Sequence, residues 1–257
     1  MSKLTTKHIN EFETLGYTIL LNALTEDEVE LLHDEADMLI NLLLAEEFDL
    51  LIDLGGIIEP LHCGILDPIP STEPQYQYKL DKATYIERRD QLTPSVAQLL
   101  INTIGSFARS LLYKTLDNRP DNSVYLLNEQ YIIKPPNTKD TSIFEWHRDS
   151  DYYEDISLKN EKTIACWIAL DPVNEENGTL HIKDINNSHQ HGDSASLIVE
   201  IPAGSIVFMS SHLLHKSTGN ASSKFRRVFM PQYSKRPLFN LKTFKPVALA
   251  VPISDIN

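Results

Sequence analysis

Two stretches of the chain carry apolar residues at helical spacing. Val29, Leu32, Ala36, Leu39, Ile40 and Leu43 recur in steps of mostly three and four, which places them on one helix face. Thr25-Glu26-Asp27-Glu28 just before them is a capping box, in which the Thr hydroxyl and the Glu carboxylate each satisfy a free backbone N–H of the first turn. The acids between the apolar positions are expected to face water. A second helix is predicted from about residue 94 to 116. Pro94 suits its first position, and Val96, Leu100, Ile104, Phe107 and Leu111 form a stripe that reads as core. Ahead of both, Gly16 leads into Tyr17-Thr18-Ile19-Leu20-Leu21, a short run that reads as a strand. Residues 53–92 read as one long irregular segment, because Gly55-Gly56, Pro60, Pro68, Pro70 and Pro74 interrupt any regular element. Such a length of loop in a compact domain suggests a lid.

After Asn122 the pattern changes to short β-rich runs at 124–133, 163–170, 179–182, 197–201, 205–209 and 225–233. Turn signals separate them: Pro135-Pro136-Asn137, the stretch 174–178, Pro202-Ala203-Gly204 and Thr218-Gly219-Asn220. Many short strands with such turns predict a sandwich or barrel. Helices first and strands afterwards give an α+β fold, read as a single domain over 1–257, with a mainly helical part (1–122) backing a β core (123–257).

Composition narrows the function. The chain has 257 residues and a formal net charge of −13. Residues 8–78 hold sixteen acids and no Lys or Arg, so the rest carries +3 (23 basic, 20 acidic). A nucleic-acid partner wants a basic face, and this acidic stretch would repel phosphate. No apolar run approaches the ~20 residues of a membrane span, and the first residues lack the apolar core of a secretory signal. Two cysteines, Cys63 and Cys166, are too few for a disulfide framework. A cytoplasmic protein with no nucleic-acid or membrane partner is expected.

Three short elements carry chemistry. In Glu145-Trp146-His147-Arg148-Asp149 an extended backbone turns His147 and Asp149 to the same side. An imidazole and a carboxylate so placed can hold a divalent metal. Ser210-Ser211-His212-Leu213-Leu214-His215 follows an apolar strand, and either histidine could complete a site of two His and one carboxylate. That set leaves coordination positions open, as in non-haem iron(II) oxygenases. In Phe225-Arg226-Arg227-Val228-Phe229 adjacent residues face opposite ways, so one arginine points inward and needs an anion, which its planar fork matches.

In this order the three elements resemble the iron(II)/2-oxoglutarate-dependent dioxygenases, in particular the phytanoyl-CoA dioxygenase-like family. The family pattern of His-x-Asp, distal His and an Arg about eleven residues later falls on His147, Asp149, His215 and Arg226. Trp167-Ile168-Ala169-Leu170-Asp171 with Asn177-Gly178-Thr179-Leu180 is similar to another family segment. Phe12 with Leu15-Gly16-Tyr17 is similar to its N-terminal signature, and Ser217 with Asn220 to its distal-histidine loop. Two positions depart from the pattern. Asn186-Asn187-Ser188-His189 stands where the family has Pro-Gly-Ser-His, and Arg148 stands where Gln is commoner.

The resemblance implies a double-stranded β-helix (jelly-roll) core with the N-terminal helices packed against it. It implies that His147, Asp149 and His215 bind Fe(II), with 2-oxoglutarate and dioxygen as co-substrates. Arg226 and Ser217 are then expected to hold the distal carboxylate of 2-oxoglutarate, with Trp167 and Gln130 beside it. A carboxylate at Asp149 implies hydroxylation or another oxidation rather than halogenation, and hydroxylation of an unactivated C–H bond is expected, on a small molecule: an acyl thioester, an amino-acid-like compound or a natural-product scaffold. Tyr76, Tyr78, Arg88 and Tyr152 are the candidate substrate contacts. A catalytically silent jelly-roll binder and a cupin-like metal enzyme without 2-oxoglutarate are the alternatives. The complete ligand set with Arg226 argues against the first, and the lack of a third histidine near His147 together with Arg226 against the second.

Overall fold

The structure, a computed structural model, describes residues 2–62, 81–116, 122–153, 156–183, 185, 196–239 and 249–253. Helices α1 (Thr6–Leu15), α2 (Glu26–Ala45) and α3 (Lys82–Leu92) are followed by a continuous helical stretch. It consists of α4 (Val96–Gln98), a π-helical part (Leu99–Ile104) and α5 (Gly105–Tyr113). The strands are β1 (Tyr17–Leu20), β2 (Ile57–Ile58), β3 (Tyr125–Lys134), β4 (Phe144–His147), β5 (Ile164–Ala169) and β6 (Leu180–Lys183). Then come β7 (Leu197–Ile198), β8 (Ile206–Ser210), β9 (Leu214–Ser217), β10 (Arg226–Ser234) and β11 (Val251–Pro252).

They form two antiparallel sheets. The larger runs β1-β8-β5-β10-β3-β11, with β2 also on β3, and the smaller runs β4-β9-β6-β7. Two buried clusters follow from the alternation of side chains along each strand. One lies between the helices and the large sheet, where Leu32, Leu39, Leu100 and Ile104 meet Tyr131, Ile133, Phe208 and Phe229. The other includes Trp167, Val207, Val228 and Met230 from the large sheet and Leu180 and Ile182 from the small one, so it fills the space between the sheets. Neighbouring residues of one strand thus serve different layers: Tyr131 belongs to the helical cluster and Ile132 to the inter-sheet one.

Several expectations are corrected. The first described element is a helix, α1, which buries only Ile9 and Phe12 and so leaves no apolar stripe to read. Residues 82–92 are helical rather than irregular. Asp81 caps the first turn by accepting from the Thr84 N–H, but the helix fully buries only Tyr85 and Arg89, and a buried arginine does not register as apolar. The next helical stretch begins at Val96. Ser95 before it has φ +75°, so Pro94 lies outside it. The strand expected over 197–201 covers only Leu197–Ile198.

The acids of α2 do not all face water. Glu35 is 2% exposed. Arg89 donates to both of its oxygens, at 2.6 and 2.9 Å, and from Nε to Glu129 at 3.1 Å, while Tyr85 donates to Glu129 at 2.9 Å. This buried network ties α2 and α3 to β3. Burial pushes the Glu35 carboxyl up, but the bonds from Arg89 outweigh it and hold it below its ordinary value. Burial dominates at Glu129, which is held above the ordinary value.

Candidate metal centre

The histidines are brought together by strand pairing. In the β4–β9 pair, His147 stands directly opposite His215, and their ring centroids are 4.3 Å apart. Arg148 continues the chain in an extended conformation (φ −116°, ψ 142°), so Asp149 returns to the side of His147 as a short 3-10 turn begins. Asp149 Oδ1 lies 3.9 Å from His147 Nε2 and 3.7 Å from His215 Nε2. One ligand atom from each of the three lies within 4.8 Å of the others.

Hydrogen bonds set the ring nitrogens. His147 Nδ1 is 2.6 Å from the Glu145 carbonyl, and His215 Nδ1 is 3.1 Å from the Leu213 carbonyl. A carbonyl only accepts, so Nδ1 is the donor in each ring, and Nε2 is the ring nitrogen on the Asp149 side. Burial pulls the His215 pKa down, against the attraction of Asp149 and with the help of His147. A neutral imidazole is the form that binds a metal. His212 is turned elsewhere, with Nε2 2.6 Å from the Lys159 carbonyl.

The two adjacent arginines separate as alternation demands. Arg227 points outward to Asp37 (2.6 Å) and Asp171 (3.3 Å). Arg226 is fully buried, stands over the Trp167 ring at 5.6 Å, and donates from Nη1 to the Ile132 carbonyl at 3.3 Å. Among the described residues its Nε and Nη2 have no hydrogen-bond partner. Burial without a close anion pulls its pKa down to about 9, despite some help from Asp171. A buried guanidinium with two idle donors is a cradle for a carboxylate.

Ser217, 5% exposed, lies on β9 two residues beyond His215 and so on the same face. Gln130 is half-buried on the face of β3 that meets the inter-sheet space, and its Oε1 accepts from Asn128 at 3.2 Å. Tyr152 is 71% exposed, with its ring 5.5 Å from that of His147. Arg88 lies on α3, which meets Glu129 on the opposite face of β3 from Gln130. Tyr76 and Tyr78, and the departure at 186–189, lie outside the described residues.

Two residues of this region were missed in the sequence. Gln232 donates from Nε2 to Asp149 Oδ2 at 3.0 Å. Lys134, cross-strand from Arg226, is fully buried and donates to the carbonyls of Ser142 and Thr218. Burial and then Arg226 pull its pKa down to about 6. Counting alternate residues from Arg226 along its strand reaches Gln232, so that signal was present. A lysine before Pro135-Pro136 gave none.

The family model described as phytanoyl-CoA dioxygenase (PhyH) matches residues 12–228, most of the chain. The chain belongs to the phytanoyl-CoA dioxygenase family. It is therefore of the non-haem, 2-oxoglutarate-dependent enzyme class, with iron(II), 2-oxoglutarate and dioxygen as the family's reactants. No match is found among curated protein sequences.

Solved structures share the fold at low identity. The non-haem monooxygenase ThoJ in its Ni complex has a TM-score of 0.62 at 18% identity, over 97% of this chain and 84% of that one. EvdO2 from Micromonospora carbonacea var. aurantiaca, complexed with 2-oxoglutarate, has a TM-score of 0.58 at 16% identity, over 90% and 91%. The α-ketoglutarate-dependent epimerase SnoN from nogalamycin biosynthesis has a TM-score of 0.57 at 16% identity, over 88% and 80%. Among the described residues no helix is long and apolar enough to cross a membrane.

Proposed function

We propose that this chain hydroxylates an unactivated C–H bond of a small molecule, with 2-oxoglutarate converted to succinate and carbon dioxide. The observation that carries the proposal is the pairing of a His-Asp-His cluster with a buried guanidinium that has two idle donors. The two sheets are read as a double-stranded β-helix and the chain as one domain, with the cluster in the inter-sheet space.

In this reading the Nε2 atoms of His147 and His215 and a carboxylate oxygen of Asp149 would hold iron(II). The Nδ1–H bonds to Glu145 and Leu213 keep both rings in the ligating tautomer. Arg226, with Ser217 beside it, would hold the distal carboxylate of 2-oxoglutarate, for which its Nε and Nη2 are free to donate. Trp167 lies under the guanidinium and would stand beside that carboxylate. Iron with 2-oxoglutarate and dioxygen supplies the oxidising power. The protein's share is to orient both ends of the co-substrate in a dry space. Of the two substrate-contact candidates among the described residues, Tyr152 stands beside His147 and Arg88 lies on α3, so Tyr152 is the better placed.

Anaerobic addition of iron(II) and then 2-oxoglutarate tests the reading. A weak visible charge-transfer band is expected in the wild type and in His212→Ala, and none in His215→Ala. A wild type with no band overturns the proposal.

A further inference from the structure

We propose that Gln232 is a positioning residue that commits Asp149 to bind the metal through one oxygen only. The inference rests on the proposed function. The two oxygens of Asp149 have different surroundings. Oδ1 is the one near both imidazoles, at 3.9 and 3.7 Å. Oδ2 accepts from the Gln232 carboxamide at 3.0 Å. An ionised carboxylate has no proton to give, so the amide must present its nitrogen here, and its orientation is set by chemistry.

The donor is better anchored than the acceptor. Asp149 opens a short turn beyond the end of β4. Gln232 sits within β10, paired on one side with Asn128 of β3 and on the other with Ala165 of β5. The β3–β10 register shifts between Gln232 and Tyr233. Such an irregularity re-aims side chains next to a site. The large sheet thus reaches across the inter-sheet space to fix a residue that follows a strand of the small one.

The consequence is coordinative. Two imidazoles and one carboxylate oxygen leave open positions for a chelating co-substrate and dioxygen. A carboxylate swinging to bind through both oxygens would take one of them. The amide bond to Oδ2 prevents that swing and keeps the aspartate in place before metal arrives. Partners of this kind typically change metal affinity by about 10–100-fold.

Cobalt(II) titration of the metal-free protein, followed by its visible d–d absorption, reads the role without turnover. Gln232→Leu is expected to bind cobalt about 10–100-fold more weakly, with a changed d–d band. Met230→Leu, an apolar exchange on the same strand face, should keep both. If Gln232→Leu does not fold, Gln232→Asn replaces it: its shorter side chain draws the amide back from Oδ2, so weaker cobalt binding with a changed d–d band is again expected, and an affinity and spectrum equal to the wild type overturn the inference. A wild type that binds no cobalt removes the proposed function and this role together. A wild type that binds, with a folded Gln232→Leu equal to it in affinity and spectrum, removes only the role of Gln232.

Discussion

At the scale of single residues, the division of labour between Arg226 and Arg227 follows from strand alternation alone. One faces the inter-sheet space with idle donors, and its neighbour closes ion pairs with Asp37 and Asp171 outside. The same alternation carries Val228, Met230 and Gln232 inward behind Arg226. Removing a partner from a buried ion pair costs about 3 kcal/mol or more, which is over about 100-fold in affinity. Arg226→Ala is accordingly expected to raise the Kd for 2-oxoglutarate at least about 100-fold in calorimetric titration. Arg227→Ala should leave that Kd within about threefold, because its charge is spent on α2 and the turn after β5.

At the scale of elements, the helices are held to the large sheet by apolar packing and by one buried polar network. Arg89 is its hub, since among the described residues it alone supplies positive charge between Glu35 of α2 and Glu129 of β3. Truncating the hub leaves two buried carboxylates facing each other. Arg89→Met should destabilise the protein by about 3–5 kcal/mol, read as a lower urea midpoint. Gly178 shows a comparable constraint at a turn. It has φ +97°, and an added Cβ would stand 2.8 Å from both the Thr218 carbonyl oxygen and Lys134 Cδ. The approach of the turn before β6 to the end of β9 therefore needs a residue without a side chain.

At the scale of the whole molecule, acidity shapes the response to pH. Glu59, just beyond β2, is pushed up to about 7 from an ordinary 4.5, first by burial and then by Glu129, against a bond from Asn128. The folded state keeps this proton where the unfolded chain has released it. Between about pH 4.5 and 7 the folded state therefore binds more protons, and stability falls as pH rises through that window. The loss is on the order of 2–3 kcal/mol. Denaturant unfolding across this range should show a flatter profile in Glu59→Gln than in the wild type. Equal slopes would assign the pH dependence to other groups.

The sequence by itself determined the class of elements, most strand positions and the family. These depend on local periodicity, on turn residues and on a motif spacing that lies along one chain. Val29 to Leu43 reads as a helix face because each interval is local, and the resemblance at His147, Asp149, His215 and Arg226 needs only counting. Only the tertiary structure decided that Glu35 is buried, that residues 82–92 coil into a helix, and that Gln232 meets Asp149. A buried charge is stable through a partner distant in sequence: Arg89 lies 54 positions from Glu35, and Gln232 lies 83 from Asp149. Periodicity records where a side chain points on its own element. It holds no record of what stands opposite, and for polar groups in the interior the opposite partner sets the energy.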